Sequence, residues 1–185
     1  MSRAFLSESD EAFMDDDVPE TKDPLPPGLK NYMTPEGAAR LREELAGLVN
    51  GERPGLLSKL SQTVAEGGVP EKEGMLRDRR RLREIERRIE YLERMLDKLE
   101  VVSPDTQDPS RALFGASITV LDLDGGGGEK AFRIVGVDES DPSAGKVSWI
   151  SPVAKALIGK RVGDTVSVKL PKGDSKLKII KIEYL

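Results

Sequence analysis

Carboxylates and arginines are the side chains of this 185-residue chain whose types and spacing suit chemistry or ligand binding. Glu66, Glu71 and Glu73 lie in a turn over residues 65–74 that is rich in glycine. The sequence contains no Cys and no His, which excludes thiol or imidazole nucleophiles and the usual zinc sites. Only carboxylates are left to hold a metal, and oxygen ligands suit a hard cation such as Mg²⁺.

Three arginines form a second group with helical spacing. Arg80, Arg83 and Arg87 are three and four residues apart, so in a helix they share one face, and that face suits an anion. Both groups also have a simpler interpretation. The arginines can serve only to keep the helix soluble beside its glutamates, and a glutamate in a turn can be an ordinary solvated carboxylate.

Two helices must position these groups. Residues 75–100 contain no Gly or Pro, and their apolar residues alternate at spacings of three and four, the seam of a coiled coil. That seam comprises Leu82, Ile85, Ile89, Leu92, Leu96 and Leu99. A matching seam, Ala38, Leu41, Leu45 and Leu48, follows a helix start at Thr34-Pro35-Glu36. Pro54 should interrupt the first helix.

Joined by the short turn, the two helices predict an antiparallel hairpin, here called the finger, with an end roughly 40 Å from its base. After about residue 112 the pattern changes to short strands over 117–124, 130–137, 146–150, 165–170 and 177–183, with a short helix over 153–158. The predicted fold class is therefore α+β: an N-terminal antiparallel two-helix coiled coil followed by an antiparallel sheet with one short helix.

The predicted domain organisation has three parts. An acidic, proline-containing tail over 1–30 is expected to be disordered, the finger spans 31–103, and the sheet domain spans 104–185. The net charge of −4 argues against a generic DNA binder, and 4% aromatic residues argue against stacking on single-stranded nucleic acid. No apolar run has the length of a membrane span and no signal peptide is evident, so we expect a cytoplasmic monomer without membrane contact.

Five segments of the sequence match a known family, in order and almost without gaps. They are residues 81–89, 132–136, 151–157, 162–164 and 182–185. On these segments the chain resembles the GreA/GreB family of bacterial transcript-cleavage factors, and GreB more closely, over about residues 31–185. The resemblance implies an FKBP-like C-terminal domain. It also implies that the partner is bacterial RNA polymerase in an elongation complex and that the finger enters the secondary channel of that enzyme.

The resemblance also implies roles for individual residues. In such factors two acidic residues at the finger end help to hold a second Mg²⁺ in the polymerase active site, where it activates a water that cleaves backtracked RNA. Here Glu71 occupies the place of one acidic residue and would be the metal ligand, with Glu73 beside it. The three arginines Arg80, Arg83 and Arg87 would contact phosphates at the RNA 3′ end, and Ser151 and Pro152 would contact the polymerase. The chain itself would have no cofactor and would not be an enzyme.

The sequence departs from the family pattern at the finger end. Gly68 stands where the family has an aspartate, and Pro70, Lys72 and Met75 replace its serine, asparagine and tyrosine. Ile150 replaces an acidic residue that precedes Ser-Pro. Two mechanisms therefore stay open, stimulated RNA cleavage or obstruction of the channel without cleavage. Two functions of other classes are a prefoldin-like chaperone, disfavoured by the charged finger end, and a peptidyl-prolyl isomerase, disfavoured by the scarcity of aromatic residues.

Overall fold

The computed structural model describes residues 23–65, 72–124, 127–170 and 173–184. Its helices are α1 (Pro35–Gly47), α2 (Arg53–Ala65), α3 (Lys72–Asp97) and α4 (Pro152–Leu157). Its strands are β1 (Asn31–Met33), β2 (Leu99–Val101), β3 (Ala116–Asp122), β4 (Glu129–Val135), β5 (Lys146–Ser148), β6 (Thr165–Leu170) and β7 (Gly173–Tyr184). Within these residues no helix is both long and apolar enough to cross a membrane. Most of the predicted acidic tail lies outside the described residues.

The first half of the finger begins where the sequence predicts. The side-chain oxygen of Thr34 accepts a hydrogen bond from the backbone N–H of Gly37 at 3.0 Å, and Pro35 takes the first helical position. Between α1 and α2 the chain forms a π-helical turn over Leu48–Glu52, which ends two residues before Pro54. Proline offers no N–H and its ring crowds the carbonyl four residues earlier, so the wider turn relieves that conflict. The predicted interruption is confirmed.

The second half of the finger is the 26-residue α3, about 39 Å long at 1.5 Å per residue. Its buried face differs from the predicted seam: Ile85 and Leu92 are buried as expected, but Tyr91 and Met95 are buried too. The other seam residues within α3, Leu82, Ile89 and Leu96, are only half-buried. A straight helix drifts about 20° per heptad from a 3.5-residue repeat, and at the finger base α3 packs against more than one neighbour.

The predicted helical end of α3 was wrong. The helix ends at Asp97, and Leu99, placed by the heptad pattern at a seam position, lies in β2. Strand β2 pairs in parallel with β1, with Asn31 opposite Leu99. Asn31 also satisfies backbone carbonyls at the C-terminal end of α3. Its backbone N–H donates to the Lys98 carbonyl at 2.8 Å, and its side-chain amide donates to the Met95 carbonyl at 3.1 Å. Strands of three residues are too short to show alternation in a sequence.

The C-terminal domain is a five-stranded sheet in the order β5-β4-β3-β7-β6 with α4 packed on it. Its α+β class is confirmed, but the sheet is mixed because β4 and β5 run parallel. The connection over residues 136–145 contains two short 3₁₀ turns, and it brings the chain back along β4 so that β5 runs parallel to it. Ser151 begins α4 as predicted, accepting from the Ala154 N–H at 3.2 Å. The buried core lies between the sheet and α4, and it includes Ile118, Val120, Ile134, Leu157, Val168 and Ile179.

A buried carboxylate joins the finger to the sheet domain. Glu139 lies in the connection after β4, and its Oε2 accepts from the backbone N–H groups of Thr34 and Gly136, each at 3.0 Å. The Thr34 hydroxyl donates to Oε1. Glycine makes the approach possible, since a Cβ on Gly37 would lie 2.3 Å from the Glu139 carboxyl carbon. The start of α1 is therefore held by the other domain.

Aromatic and apolar contacts complete this junction. Tyr91 of α3 donates its hydroxyl hydrogen to Asp138 at 2.6 Å, and burial together with this bond raises the pKa of the phenol. Tyr32 meets Trp149 edge to face, with ring centroids 5.2 Å apart. Trp149 packs against the cores of both the finger base and the sheet domain. The finger is thus fixed to the sheet domain by its base.

We expect Gly37→Ala to destabilise the protein by about 1–3 kcal/mol, because the added methyl group displaces Glu139 from buried donors. Gly47→Ala, in the same helix with open space around it, should be neutral or stabilising by about 0.5–1 kcal/mol. Urea unfolding followed by the fluorescence of Trp149, the single tryptophan, measures both. Equal stabilities of the two variants would contradict the assigned role of Glu139.

Candidate nucleic-acid interface

Some arginines of α3 tie the two halves of the finger together. The Arg81 guanidinium grips Glu52 with two hydrogen bonds, at 2.7 and 3.1 Å, and also reaches Glu84 at 3.2 Å. Arg88 grips Glu44 in the same two-pronged way, at 2.6 and 2.9 Å. Both glutamates lie in the first half of the finger, so these pairs cross between the helices.

Each of these pairs favours the charged form of both partners. The hydrogen bonds from Arg81 lower the pKa of Glu52, and those from Arg88 lower the pKa of Glu44. The same bonds raise the pKa of both guanidinium groups. Paired in this way, Arg81 and Arg88 are committed to the finger and are poor candidates for binding a ligand.

A second set of arginines points away from the other half of the finger. Arg80 and Arg83, both predicted from sequence, are exposed and make no ion pair within the described residues, while Arg87 is half-buried. Arg79 is equally exposed and also makes no ion pair there. Arg79 is not among the arginines predicted from the sequence, although its spacing of four from Arg83 was a usable signal. The exposed set forms a basic face that suits a polyanion.

The structure places the acidic residues of the finger end only in part. Glu71 falls outside the described residues, and Glu73 is exposed in the first turn of α3, where a carboxylate suits the helix dipole. Among the described residues no group of three or more acidic side chains could hold a metal ion. Glu73 could supply one ligand to an ion held mainly by other groups, and the roles given to Glu71 and Glu73 stay predictions.

Two residues of the predicted polymerase-contact site on the sheet domain make contacts within the protein itself. The Ser151 hydroxyl is half-buried and caps α4, whereas Pro152 is exposed. Ile150, in the place of a family acidic residue, is half-buried and packs against the core of the finger base. Of these three residues only Pro152 is free to contribute substantial surface to a partner, and no charge accompanies it.

Comparison with known families covers nearly the whole described chain. Residues 31–101 match the family model "Transcription elongation factor, N-terminal", and residues 100–184 match "Transcription elongation factor, GreA/GreB, C-term". The chain is 40% identical over 157 residues to transcription elongation factor GreB of Neisseria meningitidis serogroup A, covering 84% of this chain and 95% of that protein. It is 40% identical over 153 residues to GreB of Pseudomonas aeruginosa, covering 82% and 89%.

A GreA protein and a solved structure are also similar. Transcription elongation factor GreA of Thermodesulfovibrio yellowstonii is 39% identical over 152 residues, covering 82% of this chain and 96% of that protein. The crystal structure of GreA factor homolog 1 of Thermus thermophilus aligns with a TM-score of 0.40 and 23% identity, covering 83% of this chain and 99% of that one.

The two sets of arginines should differ in their effect on binding to single-stranded RNA. Replacing Arg80 and Arg83 together by Gln should weaken binding and reduce the slope of log affinity against log salt by about 1.4, since each lost phosphate contact removes about 0.7. Arg81→Gln is the matched control, because Glu52 and Glu84 already occupy its charge. Fluorescence anisotropy with a labelled oligonucleotide measures both. A larger effect from Arg81→Gln would show that the exposed arginines are not the interface.

Proposed function

Because this chain belongs to the GreA/GreB family of transcription elongation factors, we propose that it binds bacterial RNA polymerase and places its finger in the secondary channel of that enzyme. There it acts on backtracked or arrested elongation complexes. The observation that carries this proposal is the finger itself, whose α3 alone is about 39 Å long. The proposal implies action in the cytoplasm, as a monomer.

The construction of the finger supports insertion into a narrow space. Residues 42–62 and 73–84 contain no buried side chain, so the outer part of the finger has no core of its own. Half-buried apolar residues and ion pairs join its two halves, and the ion pairs include Lys59 with Asp78 at 2.6 Å and Arg81 with Glu52. Two helices of about 10–12 Å diameter each make a slender element, and a slender element that buries so little contributes reach rather than stability.

In this position the basic face would meet nucleic acid. Arg80 and Arg83, with Arg87 beside them, would contact phosphates of the extruded RNA 3′ end. Such contacts tolerate any base sequence, which a general elongation factor requires. Pairing of Arg81 and Arg88 inside the finger leaves the charge of the basic face concentrated on one side of α3.

In one candidate mechanism the finger end stimulates the cleavage activity of the polymerase. Glu71, assisted by Glu73, would supply carboxylate oxygens to a Mg²⁺ otherwise held by the polymerase. Such an ion lowers the pKa of a bound water and so supplies the nucleophile for hydrolysis. The part played by this chain is to bring the carboxylates to the ion and orient them, and the exposed position of Glu73 in the first turn of α3 is compatible with that part.

A second candidate mechanism is obstruction of the channel without cleavage. It is favoured by the finger-end sequence, where Gly68 offers no carboxylate and Pro70 and Lys72 replace polar, uncharged residues of the family. Loss of one ligand charge weakens a shared ion and its positioning, and each 1.4 kcal/mol of lost transition-state stabilisation costs about tenfold in rate. The finger would then regulate the polymerase by occupying the channel.

Incubation with a stalled, backtracked polymerase complex distinguishes the two mechanisms. If the protein stimulates cleavage, we expect shortened RNA whose rate of formation falls at least about tenfold in Glu71→Ala. The control is Glu90→Ala, an exposed carboxylate near the finger base that no tip mechanism uses. Gly68→Asp, which restores the missing carboxylate, should increase cleavage.

Other results would separate or overturn these ideas. Binding to the complex without shortened RNA, together with slowed elongation, supports obstruction. Cleavage that is equally sensitive to Glu71→Ala and Glu90→Ala would remove the role given to the finger end. Absence of any binding to core polymerase at low micromolar concentration would end the proposed function.

A further inference from the structure

The negative charge of this protein is concentrated in its first 22 residues. They contain two basic residues, Arg3 and Lys22, and seven acidic residues: Glu8, Asp10, Glu11, Asp15, Asp16, Asp17 and Glu20. The net side-chain charge of residues 1–22 is therefore −5, against −4 for the whole chain, so residues 23–185 together carry +1. The acidic segment, residues 1–22, thus has the opposite sign from the rest of the molecule.

The acidic segment is an addition to the shared fold. The two family models together match residues 31–184 and include none of it. The similarity to the Neisseria GreB protein covers 95% of that relative but only 84% of this chain. The acidic segment therefore lies outside the part of the chain that matches these families and this relative.

The structure shows where the acidic segment is attached. Asp23, the first described residue, forms an ion pair with Lys98 at the base of α3, and Leu25 is buried in the core of the finger base. Lys98 and the nearby Arg94 both lower the pKa of Asp23, with the bond to Lys98 the largest cause. The described chain therefore begins, at Asp23, beside the lower end of α3.

That end of α3 continues directly into the basic face. Lys98, Arg94, Arg87, Arg83 and Arg80 follow one another at spacings of four, seven, four and three residues. These spacings place all five on one side of the helix or of its immediate continuation. Asp23 is therefore already paired with Lys98, the cationic residue of this row nearest the finger base. Arg80 and Arg83, at the other end of the row, make no ion pair within the described residues.

The lengths allow the acidic segment to reach the upper members of this row. From Lys98 to Arg83 is fifteen residues along α3, or about 22 Å. From Asp23 back to Asp15 is eight residues, which span up to about 27 Å when extended. The run of three aspartates, Asp15 to Asp17, can therefore lie against Arg87 and Arg83 without any movement of the finger base.

We propose that residues 1–22 bind in cis along the basic face of α3, with the aspartates at 15–17 reaching as far as Arg83. Attachment at Asp23 gives the segment an effective concentration on the order of millimolar at that face, so that individually weak contacts suffice. The contact is electrostatic and therefore weakens with salt, whose Debye length falls from about 10 Å at 0.1 M to about 3 Å at 1 M.

The consequence for activity rests on the proposed function. If the basic face binds RNA phosphates, the acidic segment competes with RNA for the same arginines and acts as a tethered inhibitor. The cis contact itself needs no polymerase and can be tested on the protein alone.

A spin label tests the cis contact. The chain has no cysteine, so Ser9→Cys provides a single site for a nitroxide within the acidic segment. We expect paramagnetic broadening of the backbone amide resonances of residues 79–87 at about 0.1 M salt, and its loss at about 1 M salt. Replacing Asp15, Asp16 and Asp17 together by Asn should remove the broadening as well. Broadening confined to residues 23–33, or centred on the sheet lysines Lys176 and Lys178, would overturn the proposal.

A matched variant separates this contact from a general change in charge. Asp105→Asn, Glu129→Gln and Asp174→Asn together remove three exposed carboxylates from the sheet domain. The triple aspartate variant at 15–17 should bind a single-stranded RNA oligonucleotide about threefold or more tightly than wild type at about 0.1 M salt, and the matched variant should not. Equal gains in both variants would overturn the proposal.

The cis contact and the proposed polymerase binding can fail independently of each other. Binding to polymerase without broadening of residues 79–87 overturns the cis contact and leaves the proposed function standing. Broadening without any binding to polymerase supports the cis contact and removes only its regulatory consequence.

Discussion

The insertion of Glu139 into the beginning of α1 is the contact on which the arrangement of this molecule depends. One carboxylate accepts hydrogen bonds from two backbone N–H groups and a hydroxyl, and it comes from a different domain than the helix it holds. Two glycines, Gly37 and Gly136, leave the space that the carboxylate occupies. Because a buried carboxylate is costly without such donors, the two domains specify each other's position through this contact.

A fixed base allows an outer finger that buries almost nothing. The fully buried residues of the finger lie near its base, from Ile85 onwards in α3 and up to Leu41 in α1. Beyond them the two halves are joined by half-buried apolar residues and by exposed ion pairs, which stabilise weakly. The length of the finger is therefore a property that stability alone does not explain, and the proposed insertion into a channel gives it a purpose.

Geometry divides the arginines of α3 into two groups with different consequences. Arg81 and Arg88, which face the first half of the finger, are paired with glutamates, whereas Arg80 and Arg83 on the outer side are exposed and make no ion pair within the described residues. The outer group lies in one row with Lys98, which already binds the first described acidic residue, Asp23. Electrostatics thus connects the basic face, the family's proposed RNA contact and the acidic N-terminal segment in one testable arrangement.

Local patterns in the sequence were enough to predict most of the elements of this protein. The start of α1 at Thr34, the interruption before Pro54, the cap of α4 at Ser151 and the α+β class all follow from residue types acting over a few positions. The spacing of Arg80 and Arg83 was likewise enough to place them on one side of a helix. Resemblance to a family then extended these elements to a function.

Contacts between distant segments could not be predicted in this way. The parallel pairing of β1 with β2, the parallel β5 and the shifted buried face of α3 all depend on which surfaces meet at the finger base. The same is true of Glu139, which in the sequence is one glutamate among many. Residue types and their spacing were enough to predict the helices, the strands of the sheet domain and the shared helix face of Arg80, Arg83 and Arg87, because local sterics and periodicity act within a few residues. Which arginines pair with glutamates and which carboxylate is buried could not be predicted in this way, because those outcomes require groups far apart in the chain to meet.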